Sequence, residues 1–175
     1  MKILFHPKNG KLLGAQIIGE EGVDKRINVL ATALKAGLTV HDLEDLELAY
    51  APPFGTAKDP VNLAGVVAQH VVHHDIENAQ WDEVEDLAPE NSILLDVRDE
   101  DEREQGFIPD SKHISLPELR SRYGELPKDK EIIVYCQTGQ RSYFACRFLI
   151  QKGFNAKNLS GAFRTWKIAK NSNHP

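Results

Sequence analysis

The chain of 175 residues holds only two cysteines, has no long apolar run and carries a net negative charge, and each of these lacks removes a class of protein. Two cysteines are too few for a disulfide framework, and their positions, Cys136 and Cys146, have no metal-site spacing, so reduced thiols and no bound metal are expected. No apolar run approaches the length of a membrane span, and Met1–Pro7 carries too short a run for a signal peptide. A cytoplasmic protein without membrane contact is the expectation. Positive charge is short as well: a formal net charge of −5 argues against general nucleic-acid binding. Acidic residues are missing from one region only. They dominate from Asp82 to Glu104, but none follows Glu131, where Arg141, Arg147, Lys152, Lys157, Arg164, Lys167 and Lys170 gather. That cationic end reads either as an ordinary solvated face or as a field that draws small anions toward Cys136. With 41% hydrophobic and 27% charged residues, the chain can bury a core and is not disordered throughout.

What is present is organised around Cys136-Gln137-Thr138-Gly139-Gln140-Arg141-Ser142, which follows the β-branched run Ile132–Tyr135 and leads into an apolar helical pattern. A strand that ends on a cysteine, turns through a glycine and enters a helix aims backbone N–H groups at the sulfur. The positive end of the helix lies beneath it, and such a site favours a thiolate. A lone cysteine is usually just a small buried hydrophobe, and Cys146, beside Ala145 and Phe148, reads that way. For Cys136 the surrounding pattern reverses the choice.

Residues 1–78 are expected to form one small α+β unit. Lys2–His6 and Leu12–Ile18 flank Pro7-Lys8-Asn9-Gly10, where Asn-Gly supplies the positive φ values of a hairpin turn. Asp24 is expected to cap a helix carrying Ile27, Leu30, Ala31 and Leu34, with Gly37 as its stop. Thr39 caps a short turn through Leu43 and Leu46, Pro52-Pro53 forces an extended loop, and Asp59-Pro60 starts a further helix through Val71. Gly14, Gly19 and Gly22 do not have dinucleotide-binding spacing. His70 and His74 are four apart on the last helix, but no nearby carboxylate or cysteine completes a metal set, so they read as surface histidines.

The runs Gly14-Ala15-Gln16-Ile17-Ile18-Gly19, Asp24-Lys25-Arg26-Ile27-Asn28-Val29-Leu30-Ala31 and Tyr50-Ala51-Pro52-Pro53-Phe54-Gly55-Thr56-Ala57-Lys58-Asp59-Pro60-Val61-Asn62 resemble the C-terminal dimerisation domain of flavin-dependent pyridine nucleotide-disulfide oxidoreductases. The likeness is strongest to the branch of coenzyme A-disulfide and persulfide reductases. It implies a homodimer, in which the tyrosine matching Tyr50 reaches the partner's active site. The FAD and NADH domains that come first in that family are missing, as are the redox cysteine and the first strand of the dimerisation domain. The resemblance therefore implies the tail of a longer flavin reductase, using FAD, NADH and coenzyme A, with no cofactor held by this stretch and with Tyr50 serving chiefly in packing.

Residues 79–175 are expected to be a doubly wound parallel α/β sheet. Ile93–Val97 and Ile132–Tyr135 are near-continuous apolar runs, as buried parallel strands require, and helical patterns cover Pro117–Tyr123, Arg141–Lys152 and Ala162–Lys170. In such sheets the working site lies at the carboxyl ends of the strands, where Cys136 falls. Leu95-Asp96-Val97-Arg98, Gly106-Phe107-Ile108-Pro109, Ile114-Ser115-Leu116-Pro117, the Cys136 loop, and Asn158–Phe163 with Trp166 together resemble a single-domain rhodanese. The loop places Arg141 five residues after Cys136. Related phosphatases and arsenate-handling enzymes carry one residue more, so the shorter cradle favours sulfur. Phe107 and Asp110 depart from the usual histidine and glycine.

The resemblance implies that a Cys136 thiolate takes sulfane sulfur from thiosulfate or a persulfide and passes it to a thiol such as coenzyme A or glutathione. The N–H groups of Gln137 to Ser142 would hold the thiolate and the persulfide, and Gly139 permits the curl. Arg141 either orients an anionic donor or braces the loop, and bracing is preferred. Thr138, Gln140 and Ser142 offer polar side chains. Asp96 and Arg98 are expected to secure the loop rather than touch substrate, and His113 is not needed as a base. The alternative is a dimerising tail whose second domain binds a partner or senses persulfide without turnover.

Overall fold

The computed structural model describes residues 1–172, and its contacts divide the chain into two units, Met1–Asp75 and a second from Ile76 onward. In the first, β1 (Lys2–Phe5) and β2 (Leu12–Gln16) pair antiparallel, with Lys2 opposite Gln16. Of the Asn9-Gly10 pair only Gly10 takes a positive φ. Helix α1 (Val23–Ala36) begins two residues earlier than its acidic residue suggested: Gly22, not Asp24, is the capping position, and Asp24 sits in the first turn, where its charge suits the helix dipole. Gly37 closes the helix in the left-handed conformation, as expected.

Helix α2 (Val40–Asp45) is held by a reciprocal box: the Thr39 N–H donates to Asp42 Oδ2 at 2.7 Å, and the Asp42 N–H donates to Thr39 Oγ1 at 3.3 Å. Helix α3 (Pro60–Val72) starts with Pro60 behind Asp59, whose Oδ1 accepts from the Val61 N–H at 2.9 Å. Gly65 lets α3 press on α2, because a Cβ there would lie 2.6 Å from the Glu44 backbone nitrogen. Leu12, Leu30, Ala33, Leu43 and Val61 are the buried centre of this unit.

The second unit is one five-stranded parallel sheet in the order β3-β7-β6-β4-β5. Its strands are β3 (Glu77–Ala79), β4 (Ser92–Asp96), β5 (Lys112–His113), β6 (Glu131–Tyr135) and β7 (Asn155–Leu159). Since β3 already belongs to this sheet, the 78/79 boundary drawn from the sequence falls inside the second unit. Helices α4 (Glu100–Glu104), α5 (Leu116–Arg122), α6 (Gln140–Gln151) and α7 (Ala162–Ser172) alternate with the strands.

Strands β4 and β6 read as continuous apolar runs because both sheet faces are covered. Leu95, Ile132 and Val134 join Ala145, Cys146 and Leu149 of α6 on one face, while Leu94, Ile133 and Tyr135 join Ala162 and Phe163 of α7 on the other. From β4 the chain runs outward to β5, then returns to β6 on β4's other side. This reversal opens a crevice at the carboxyl ends of β4 and β6. Among the described residues, no helix is long and apolar enough to cross a membrane.

Candidate active site

Cys136 is the first residue after β6, at the mouth of that crevice, and is 1% exposed. The chain curls through Gln137 and Thr138 to Gly139, whose φ of 113° lies where a side chain is strained, and α6 begins at once. This curl turns the Gly139 N–H back onto Cys136 Sγ at 3.1 Å. The Ser142 hydroxyl, one turn into α6, lies 3.5 Å from the same sulfur and 3.1 Å from the Gly139 carbonyl oxygen. Burial pushes the Cys136 thiol up, but the Ser142 hydroxyl and the backbone N–H groups of Ser142, Gly139 and Thr138 outweigh it, leaving the thiol below its ordinary value. Cys146 is the contrast: burial with no compensating donor pushes its thiol far up, so it stays an inert part of the core.

A second helix holds the loop from behind. Phe163 and Arg164, in the first turn of α7, donate their N–H groups to the carbonyls of Cys136 (3.0 Å) and Gln137 (3.1 Å). The carbonyls of the loop are thereby held against the start of α7, which fixes the loop's path from its far side.

Arg141 does not point its charge at the sulfur. Its guanidinium grips Glu102 of α4 through two bonds of 2.5 and 2.6 Å and also meets Asp99 at 3.2 Å. Glu102 holds the Arg141 guanidinium further toward its charged form, and Arg141 in turn holds the Glu102 carboxyl below the usual range. Thr138 and Gln140 are exposed, and Gln137 is half-buried with its Oε1 accepting from Arg98 at 3.4 Å.

Asp96, the last residue of β4, and Arg98, just beyond it, form a buried pair. Arg98 meets both Asp96 oxygens, at 2.8 Å (Nη2 to Oδ2) and 3.0 Å (Nε to Oδ1), while its Nη2 donates to Gly106 O at 2.9 Å. Its guanidinium lies 4.1 Å from the centre of the Phe163 ring. Arg103 adds a bond to Asp96 Oδ2 at 3.1 Å and reaches Ser111, which in turn meets the Tyr135 hydroxyl at 2.8 Å. Asp99, Glu102, Arg103 and Ser111 were not singled out beforehand, and Tyr135 and Asn158 were named only as parts of longer stretches. The helix over Glu100–Glu104 was not expected from the sequence, and nothing in the spacing named Glu102 as the partner of Arg141.

His113 gives Nε2 to the Arg98 carbonyl and Nδ1 to Glu100. His70 pairs with Asp75, and no cluster of three metal-binding side chains exists among the described residues. Tyr50 belongs to the first unit and is 55% exposed.

Gly139 carries a direct prediction. Gly139→Ala meets nothing within 4 Å, so its cost is backbone strain of about 1–3 kcal/mol. The strain should relax by turning the 139 N–H away from the sulfur. Thermal unfolding should therefore fall together with a rise in the pH at which the thiolate's ultraviolet absorbance appears, and an unmoved absorbance profile would separate the N–H from the thiol's acidity.

Residues 80–169 match the family model described as "Rhodanese-like domain", and residues 1–60 match "Pyridine nucleotide-disulphide oxidoreductase, dimerisation domain". A sulfurtransferase of Allochromatium vinosum is 38% identical over 78 residues, which cover 44% of this chain and 73% of that protein. The crystal structure of reduced Bacillus anthracis CoADR-RHD, a CoA disulfide reductase with a rhodanese domain, superposes on 97% of this chain at a TM-score of 0.93 and 45% identity. An NAD-dependent persulfide reductase from A. fulgidus superposes on 94% of it at 0.81 and 38% identity. This chain spans only 30% and 29% of those two solved chains.

Proposed function

Because this chain belongs, through residues 80–169, to the rhodanese-like family, we propose that its second unit is a sulfurtransferase in which Cys136 carries the moving sulfur as a persulfide. One observation carries the reading: a thiol held below its ordinary pKa receives an N–H at 3.1 Å in a loop that places Arg141 five residues after Cys136. The Cys136 thiolate attacks the outer sulfur of a donor such as thiosulfate. The bond between that sulfur and the sulfonate sulfur breaks, and its electron pair leaves with sulfite. Cys136 then holds a persulfide anion, stabilised by the donors that held the thiolate. An acceptor thiolate, such as coenzyme A or glutathione, attacks the outer sulfur and leaves as a new persulfide while Cys136 departs as thiolate. No outside oxidant or reductant enters.

Arg141, held by Glu102 and Asp99, braces the loop against α4, and Asp96 with Arg98 braces it from β4. The first unit resembles a dimerisation domain, and on this reading it joins two copies. The solved relatives support placing the sulfurtransferase as an accessory module of a flavin reductase, with FAD, NADH and coenzyme A belonging to domains outside this chain. The test is intact mass after thiosulfate, followed by cyanide. Addition of one sulfur atom and release of thiocyanate are expected. A protein that gains no sulfur from thiosulfate, glutathione persulfide or coenzyme A persulfide is instead a binding or sensing tail.

A further inference from the structure

Asn158 occupies a position where the strand pattern calls for an apolar side chain. On β7 it shares a sheet face with Ala156, which packs with Cys136, Cys146 and Leu149, whereas Leu159 points into the opposite core. It lies beside Val134 in the register of β6 and β7, just below the Cys136 loop. Its Nδ2 lies 3.4 Å from the Gly139 carbonyl oxygen, while its Oδ1 is buried and has no hydrogen-bond partner. Exchanging the two amide atoms would set two oxygens against each other, so the orientation is fixed by the Gly139 bond. A buried, unpaired acceptor is a cost, and the chain retains a residue that incurs it at this spot.

The Ser142 hydroxyl makes sense of it. That hydroxyl has one proton and two acceptors in reach, the Gly139 carbonyl at 3.1 Å and Cys136 Sγ at 3.5 Å. The Gly139 carbonyl already accepts the Tyr143 N–H at 3.0 Å, so one lone pair is left, and without Asn158 this nearer acceptor would take the proton there. With Asn158 donating to it, that last place is filled. We propose that Asn158 is a positioning residue: by donating to the Gly139 carbonyl it frees the Ser142 hydroxyl to donate to the Cys136 sulfur. The inference rests on Cys136 being the working thiol and deepens that reading by naming what sets its acidity.

Other charged and titratable groups stand on the elements packed around the thiol. They are Arg141 and Cys146 on α6, Asp96 at the end of β4 and Arg98 just beyond it, Glu102 on α4 and Arg164 on α7. None is altered in the test, which compares the full chain with Asn158→Leu, Ser142→Ala and the double variant. The readout is the thiolate's ultraviolet absorbance against pH, with Cys136→Ser as the blank.

Asn158→Leu should raise the midpoint by about half a pH unit, the scale of one modest hydrogen bond. Ser142→Ala should raise it at least as much, and Asn158→Leu should add nothing in the Ser142→Ala background. An unmoved midpoint in Asn158→Leu overturns the proposal, as does an equal shift with and without Ser142. A purely structural role would lower thermal stability without this dependence on Ser142. Asn158→Ala, which removes the donor without inserting bulk, decides by the same two criteria if the leucine variant does not fold. Thiolate absorbance needs no sulfur donor, so a failure of sulfur uptake would defeat the transferase reading while leaving this result to stand or fall by itself.

Discussion

Replacing Cys136 with serine is expected to abolish sulfur uptake: the variant should gain no sulfur atom from thiosulfate, and thiocyanate formation should fall about a thousandfold or more. The serine hydroxyl is far too weak an acid to ionise where the thiol does, and oxygen cannot hold a sulfur atom in an exchangeable bond. Geometry should survive, because the Gly139 N–H and the Ser142 hydroxyl still find an acceptor at that position. Cys146→Ser is the companion measurement. Since the Cys146 thiol is buried and pushed up by that burial, removing it should leave sulfur uptake near its original level. Undiminished uptake in Cys136→Ser, or a loss on changing Cys146 equal to that on changing Cys136, would overturn the assignment.

The largest loss of stability is expected from Asp96. Its side chain is fully buried, it meets Arg98, itself 1% exposed, and it also accepts from Arg103. Asp96→Asn removes the negative charge and strands a buried guanidinium, which costs about 3–5 kcal/mol when one partner of a buried pair is deleted. The second unit's unfolding temperature should drop by about 10 °C or more. Replacing both partners, Asp96→Leu with Arg98→Met, should recover much of that loss, because neither charge remains to be desolvated.

The same pair sets an acid limit. Burial pushes the Asp96 carboxyl up, but the Arg98 side chain, backbone N–H and charge outweigh it and leave it below the usual carboxylate range. A folded value below the unfolded one means the pair's stabilisation is complete above the unfolded value of about 3.9 and is lost as pH falls through the folded value. Unfolding temperature followed from pH 6 downward should therefore fall below about pH 4 in the wild type. The slope should be shallower in Asp96→Asn, and parallel curves would show that Asp96 does not carry the effect.

The central strands, the loop and most helix limits were legible from the chain because each rests on a local rule. Ile132–Tyr135 could only be a buried strand, and Gly37 and Pro60 punctuate their helices by conformation alone. The outer strands were not legible. Asn155–Leu159 and Glu77–Ala79 are polar segments whose strand character comes from pairing with β6 and with each other, a non-local condition. The start of α1 at Val23 was missed because Asp24 also satisfied the capping rule, whereas the cap falls on Gly22 in the left-handed conformation. At the site, Cys136 and the Asp96–Arg98 pair were visible as residue types in a pattern. The Glu102–Arg141 grip joins residues far apart in sequence, and Asn158 acts through two atoms whose juxtaposition only the folded sheet creates.

The two N–H bonds from the start of α7 to the carbonyls of Cys136 and Gln137 have a consequence for anyone trimming or grafting this protein. A cassette that ended after β7 would keep the cysteine, the glycine and all of α6, and would still display the whole sequence motif. It would lose the support that shapes the loop from behind. The smallest portable sulfur-carrying module therefore extends past the motif by a further helix, and motif-based excision would yield an intact signature on a slackened scaffold.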